Sequence, residues 1–191
     1  MQASEKQSVT PVARPMRWSL EEYHQLVDAG ILRDRKVELI QGNLLEMPPE
    51  GPEHTYKTAS GADYLRQCVS QFATVREAHP VTLASSEPEP DLAVVKGSHE
   101  DYKKRHPNPD DIYLLVEIAQ STLSYDLGYK QQVYATAGVQ EYWVIDVVGH
   151  KLHIFQQPSA EGYRNHVVLD KGAITLLALP NIAVDVERLL R

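Results

Sequence analysis

The segment Ile112–Ala119, with the sequence IYLLVEIA, constrains the fold of this chain more than any other. Its nearly continuous apolar character predicts a strand covered on both faces, as in the interior of an α/β sheet. A helix is predicted over residues 125–137, closed by Gly138, and a second apolar strand over 142–145. This strand, helix, strand order predicts a βαβ-like unit at the centre of the domain.

The flanking segments favour antiparallel elements. Residues 37–41 and 44–47 resemble two short strands joined by the two-residue turn Gly42-Asn43, which predicts a β-hairpin. Helices are predicted over 19–29 and 54–72, and a terminal helix over 184–190. Further strands are predicted near Val75 and Val81 and over the ranges 91–95, 152–155, 163–168 and 173–178.

Together these elements predict an α/β fold with a mixed central β-sheet flanked by helices and extra antiparallel hairpins. Residues 1–15 are polar, contain Pro11 and Pro15, and are predicted to form a flexible N-terminal tail. Residues 16–191 are predicted to form a single domain, since this length suits one sizeable core.

Net charge, apolar content and cysteine count limit the classes of function that this chain can have. The chain has 191 residues, 26 acidic and 19 basic, for a net charge of −7, which argues against tight non-specific binding to nucleic acid. It does not exclude a nuclease whose acids surround a metal. The sequence has no apolar run of about 20 residues and no apolar leader, so we expect a cytoplasmic protein without a membrane span. A single cysteine, Cys68, cannot form an internal disulfide.

Three acidic residues lie where the pattern calls for apolar side chains. Glu117 interrupts the central strand, Asp91 opens an apolar strand after Pro90, and Glu38 lies between two apolar residues of the first hairpin. A buried carboxylate must be paired, protonated or bound to a cation. If the three converge, they form an oxygen-rich pocket for Mg²⁺ or Mn²⁺. Alternatively, Glu38 faces solvent and Asp91 caps the strand.

Lys130 is the fourth candidate, because it falls on the apolar side of the helix predicted over 125–137. Its ammonium could reach the carboxylate pocket and stabilise charge on a phosphate, or it could extend to solvent along its alkyl chain. Asp126, four residues earlier, could pair with it. His54, at the start of the second predicted helix, is a further accessory candidate.

These residues, in this order, resemble the PD-(D/E)xK nuclease superfamily. The features are Glu38 in a V-E-L-I-x-G hairpin, the dipeptide Pro90-Asp91, and Glu117 in an L-L-V-E-I strand. The spacing of Asp126, Lys130 and Tyr134, followed by the sequence AGVQEYW over 137–143, narrows the resemblance to the Uma-type restriction-endonuclease-like family. The resemblance runs from about residue 17 to the end of the chain.

The resemblance implies a restriction-endonuclease-like core and a divalent-metal-dependent endonuclease that hydrolyses DNA phosphodiester bonds. Asp91 and Glu117 would bind Mg²⁺ or Mn²⁺, with Glu38 as the acid of the first motif. The superfamily's lysine usually lies two residues after the second acid, where this chain has Ala119. Lys130 would then be a migrated replacement. His54 could contact a phosphate or a water bound to the metal.

Two other functions are compatible with the sequence. The net charge and Ala119 suit a catalytically inactive nuclease-fold module that binds a protein or nucleic-acid partner. Glu38 and Glu117 could instead act as an acid–base pair on a small substrate. DNA is the expected substrate, and a homodimer is predicted, with Trp143 and the C-terminal hairpins as candidate interface elements.

Overall fold

Residues 14–191 are described by a computed structural model of the chain, so the predicted tail, residues 1–15, lies almost wholly outside the described residues. Helix α1 (Leu20–Asp28) begins at a capping box formed by Ser19 and Glu22. Strands β1 (Val37–Ile40) and β2 (Asn43–Glu46) form an antiparallel hairpin that is a separate two-stranded sheet. Helix α2 (Pro52–Val69) follows.

The centre of the protein is a six-stranded sheet in the order β3-β4-β5-β6-β7-β8. Its strands are β3 (Thr74–Glu77), β4 (Leu92–Val95), β5 (Ile112–Ala119), β6 (Glu141–Asp146), β7 (Lys151–Ser159) and β8 (Gly162–Leu169). Strands β5 and β6 are parallel, and the other neighbouring pairs are antiparallel. The sheet is therefore mixed, as predicted, and the βαβ-like unit lies at its centre.

The side chains of β5 alternate between two hydrophobic clusters, which explains its continuous apolar sequence. Leu114, Val116 and Ile118 belong to the cluster that includes residues of α2 and of the C-terminal helix α5 (Val186–Leu190). Leu115 and Ala119 belong to the cluster on the opposite face, which includes residues from the helical segment after β5. By this alternation, Glu117 projects to the same face as Leu115 and Ala119.

The helical segment after β5 is not a uniform α-helix. A short turn, α3 (Leu123–Tyr125), leads into a π-helical turn over Asp126–Lys130 and then into α4 (Gln131–Thr136). Gly138 closes the segment with a φ of +83°, a conformation that favours glycine. Single π turns that interrupt α-helices are frequent at functional sites.

Several predicted boundaries need correction. The second helix covers 52–69 rather than 54–72, and no strand forms at Val81. The terminal helix covers 186–190 rather than 184–190, since residues 184 and 185 belong to β10 (Ala183–Asp185), which pairs with β9 (Ala173–Thr175). Trp143 is fully buried, so it is not an interface residue. None of the helices within residues 14–191 has the length and apolar character that a membrane span requires.

A buried glutamate joins the sheet to the C-terminal region. Glu141, at the start of β6, is fully buried. Its Oε1 accepts hydrogen bonds from Trp143 Nε1 at 3.0 Å and from Gln156 Nε2 at 2.8 Å. Its Oε2 accepts one from the backbone N–H of Leu177 at 2.7 Å. Three donors therefore depend on a single side chain.

We expect Glu141→Ala to lower the free energy of unfolding by about 3 kcal/mol, because it leaves these buried donors without an acceptor. Urea denaturation followed by circular dichroism measures this change. Glu161→Ala, at an exposed position, is the matched control and should change stability by less than about 0.5 kcal/mol. Equal stability of the two variants would contradict the assigned role of Glu141.

Candidate active site

A cleft near the C-terminal end of β5 contains the charged residues that the sequence analysis identified as candidates. Its volume is about 90 Å³, and it is lined by side chains from the first hairpin, the start of α2, the loop before β4, the end of β5 and the π turn. The predicted site residues that line it are Glu38, His54, Asp91, Glu117, Asp126 and Lys130. The fold therefore brings all six together.

A buried ion pair in the cleft joins Glu117 to Lys130, whose side chains are each 5% exposed. Lys130 Nζ donates to Glu117 Oε1 at 2.8 Å, and Tyr134 OH donates to the same oxygen at 2.8 Å. Lys130 and Tyr134 are four residues apart and follow each other along one side of the helical segment. Both hydrogen bonds end on Oε1, so Glu117 Oε2 takes part in neither.

Lys130 is a fixed positive charge among acids. Burial disfavours its charge, but Glu117, Glu38 and Asp126 outweigh that effect and raise the pKa of the ammonium above its ordinary value. The Nζ of Lys130 also lies 3.9 Å from Glu38 Oε2. The lysine therefore does not extend to solvent.

Asp91 lies beside Glu117 across two paired strands. Leu92 of β4 is opposite Val116 of β5, so the next antiparallel step places Asp91 opposite Glu117. Asp91 Oδ2 accepts from the backbone N–H of Ile118 at 2.6 Å and lies 3.1 Å from His54 Nε2. Both contacts involve Oδ2, and neither involves Oδ1.

Glu38 is the third acid of the cleft and is 1% exposed, so it does not face solvent. Its Oε2 is buried without a hydrogen-bonding partner among the described residues. Burial raises the pKa of this carboxyl, and Lys130 partly offsets the effect. An unpartnered buried carboxylate oxygen is costly unless a cation or a proton is bound to it.

Asp126 does not form the predicted direct ion pair with Lys130, although its negative charge contributes to the raised pKa of that lysine. Asp126 Oδ2 accepts from Thr122 Oγ1 at 2.5 Å, and Lys130 instead contacts Glu117. The π turn that starts at Asp126 changes the angle between these side chains from that of an α-helix. Burial raises the pKa of the Asp126 carboxyl.

Sequence reasoning missed Glu50. Ligand atoms of Glu50, His54 and Asp91 lie within 4.8 Å of one another, a spacing that could hold a metal ion. Glu50 Oε2 is 3.5 Å from His54 Nδ1, and the hydrogen bond to Asp91 raises the pKa of His54. The signal was present in the sequence, because Glu50 lies four residues before His54, across the start of α2.

The donor set suits a hard divalent cation. Asp91, Glu117 and Glu38 each present an oxygen that the hydrogen bonds described above do not use, and Glu38 Oε2 is an unpartnered buried atom. Oxygen-rich sites with several carboxylates favour Mg²⁺ or Mn²⁺. The chemistry of these oxygens therefore suits such an ion. Among the described residues, however, the ligand atoms that lie within 4.8 Å of one another belong to Glu50, His54 and Asp91, and this group does not include Glu38 or Glu117.

The mixed sheet, with converging carboxylates and a buried lysine beside its central strand, defines a restriction-endonuclease-like α/β protein. The model of a family described as "Uma2: Putative restriction endonuclease" matches residues 20–187. The chain belongs to this family, as its motifs indicated.

A solved structure supports the fold. The protein is similar to one described as a "putative nuclease belonging to DUF820 from Anabaena variabilis", with a TM-score of 0.72 and 15% sequence identity. The match covers 92% of this chain and 98% of that one, so the two share a fold over nearly their whole lengths. A search of curated proteins finds no match.

We expect Lys130→Met to lower the free energy of unfolding by about 3–5 kcal/mol, because it leaves buried carboxylates without their cation. The double variant Glu117→Gln/Lys130→Met removes one of those charges and should recover part of the loss. Urea titrations of the four proteins of this cycle measure the coupling.

Lys104→Met, at an exposed lysine, controls for the loss of a positive charge and should change stability by less than about 0.5 kcal/mol. A double variant that is less stable than Lys130→Met would contradict the assigned pairing of Lys130 with Glu117.

Proposed function

We propose that this protein is a divalent-metal-dependent endonuclease that hydrolyses phosphodiester bonds of DNA. The observation that carries the proposal is the buried Lys130 ammonium, 2.8 Å from Glu117, in the cleft that also contains Asp91 and Glu38. A positive charge and several carboxylates in one cleft suit phosphate chemistry, in which negative charge increases as water adds to phosphorus.

The proposed ligands of Mg²⁺ or Mn²⁺ are Asp91 and Glu117, with Glu38 as a third. When bound, such an ion polarises a phosphate and makes water a better nucleophile. Tyr134 and Lys130 hold one oxygen of Glu117, which fixes the orientation of the carboxylate. His54 and the Ile118 N–H do the same for Asp91.

Lys130 is proposed to act through its charge. Its raised pKa keeps the ammonium protonated, so it does not take a proton from water. It can orient the attacking water and stabilise the additional charge on the phosphate. Because it projects from the helical segment, this role does not require a lysine at position 119.

The first test is cleavage of supercoiled plasmid in Mg²⁺ and in Mn²⁺. Asp91→Ala and Glu117→Ala should abolish nicking, because each removes a proposed ligand. Lys130→Ala should slow nicking by about 10²–10³-fold while it leaves Mn²⁺ binding largely intact. Gel electrophoresis measures cleavage, calorimetry measures Mn²⁺ binding, and circular dichroism confirms that each variant is folded at the assay temperature.

The matched control is Asp110→Ala, an exposed acid outside the cleft, which should cleave at the wild-type rate. Equal residual activity in wild type, Asp91→Ala and Glu117→Ala would indicate contamination. Mn²⁺ binding without cleavage would favour the inactive module that binds a partner. Wild-type turnover in Lys130→Ala would contradict the role of the lysine.

Removal of the metal gives an independent prediction. Treatment with EDTA should stop cleavage, and excess Mg²⁺ or Mn²⁺ should restore it. The bound ion should also raise the melting temperature in a concentration-dependent way, because it binds the folded state. Thermal unfolding with and without Mn²⁺ measures this shift, and Asp91→Ala should reduce it. Cleavage that continues in EDTA would contradict the metal requirement.

Three further features belong to the same proposal. Residues 16–191 are proposed to fold as one domain, to form a homodimer, and to act in the cytoplasm. Cutting both strands of DNA often needs two active sites, which supports the dimer. Light scattering of the full chain, with and without a DNA duplex, measures the oligomeric state.

A further inference from the structure

Two histidines lie close together on the last two strands of the central sheet, neither of which lines the cleft. His153 lies on β7 and His166 on β8. In the strand register, Phe155 is opposite His166 and Val168 is opposite His153, so the two histidines are diagonal neighbours on one face. Their Nδ1 (His153) and Nε2 (His166) atoms are 3.1 Å apart.

The two rings are held in place by their neighbours. The ring of His166 is stacked on Phe155, with 4.1 Å between the centroids and 10° between the planes. The rings of His153 and His166 meet edge to edge through these nitrogens, with centroids 5.3 Å apart and planes at 23°. Phe155 is buried in one of the hydrophobic clusters, and its fixed ring restricts the orientation of the His166 ring that stacks on it. The pair is therefore partly organised before any ligand binds.

The separation of the two nitrogens matches that of two ligands on one metal ion. With metal–nitrogen bonds of about 2.0–2.1 Å, two imidazoles at right-angled or tetrahedral positions place their nitrogens roughly 2.8–3.4 Å apart. A neutral imidazole has one nitrogen with a lone pair. In the structure the two nitrogens share a hydrogen bond, so one ring N–H donates to the other ring. A cation that binds both nitrogens takes the place of this proton, which is released to solvent. Because the nitrogens are only 3.1 Å apart, the cation must lie to one side of the line that joins them, and the rings must turn towards it.

We infer that His153 and His166 form a binding site for a transition-metal ion such as Ni²⁺, Cu²⁺ or Zn²⁺, separate from the oxygen-rich cleft. Imidazole ligands suit these ions, whereas carboxylates suit Mg²⁺ and Mn²⁺. Burial lowers the pKa of both histidines, which favours the neutral rings that bind metals. The charge of Asp146 raises the pKa of His153, and the charge of Lys151 lowers it. Water would complete the coordination.

The test is titration of the untagged full chain with Ni²⁺ by calorimetry and with Cu²⁺ by electron paramagnetic resonance, in excess Mg²⁺ to occupy the cleft. The expected result is one bound ion, with hyperfine coupling of Cu²⁺ to two nitrogens. His153→Gln and His166→Gln should each weaken Ni²⁺ binding at least tenfold. His99→Gln, at an exposed histidine, is the matched control and should bind as wild type.

His54→Gln tests the competing location, because His54 belongs to the other cluster that could hold a metal. Loss of Ni²⁺ binding in His54→Gln, with no effect in His153→Gln, would overturn the inference. So would equal binding by wild type and His166→Gln. These outcomes do not depend on DNA cleavage, so a failure here leaves the proposed nuclease activity standing.

Discussion

The contact between Glu117 and Lys130 determines the arrangement of the surrounding structure. A carboxylate in a strand covered on both faces is costly unless it is compensated. Lys130 and Tyr134 compensate it, and both come from the helical segment that covers this face of the sheet. The position of that segment is therefore tied to a polar contact as well as to apolar packing. The same contact brings a positive charge beside Asp91 and Glu38.

The sequence predicts the parts of the site that depend on simple periodicity. Glu117 is identifiable because it interrupts an apolar run, and Lys130 because it falls on an apolar helical side. The partner of Lys130 is harder to predict. A spacing of four residues favours Asp126 as its partner in a regular α-helix, but the π turn changes the relative directions of the side chains. No residue pattern in the segment signals that turn.

Long-range contacts explain the other differences between prediction and structure. The spacing of four residues between Glu50 and His54 is visible in the sequence, but only the folded chain brings Glu50 near Asp91. Trp143 looks like an interface residue by type, but it lies fully buried within the central sheet. The sheet itself is predictable, since apolar runs and turn residues mark its central strands. Its register determines which acids face each other, and register depends on the whole fold.

The hairpin of β1 and β2 carries Glu38 but is not part of the central sheet. It is joined to the loop before β4 by a few hydrogen bonds, including those from Glu87 N to Leu39 O and from Gly42 N to Ser85 O. The hairpin is nevertheless firmly packed, because Leu39 and Ile40 are fully buried and Ile40 belongs to a hydrophobic cluster with residues of β4, β5 and β6. Glu38 therefore reaches the cleft from a second sheet, whereas Glu117 lies on the central sheet and Asp91 directly precedes its strand β4. The three acids meet only where the two sheets pack together, so a shift of one sheet against the other would change the spacing of the acids.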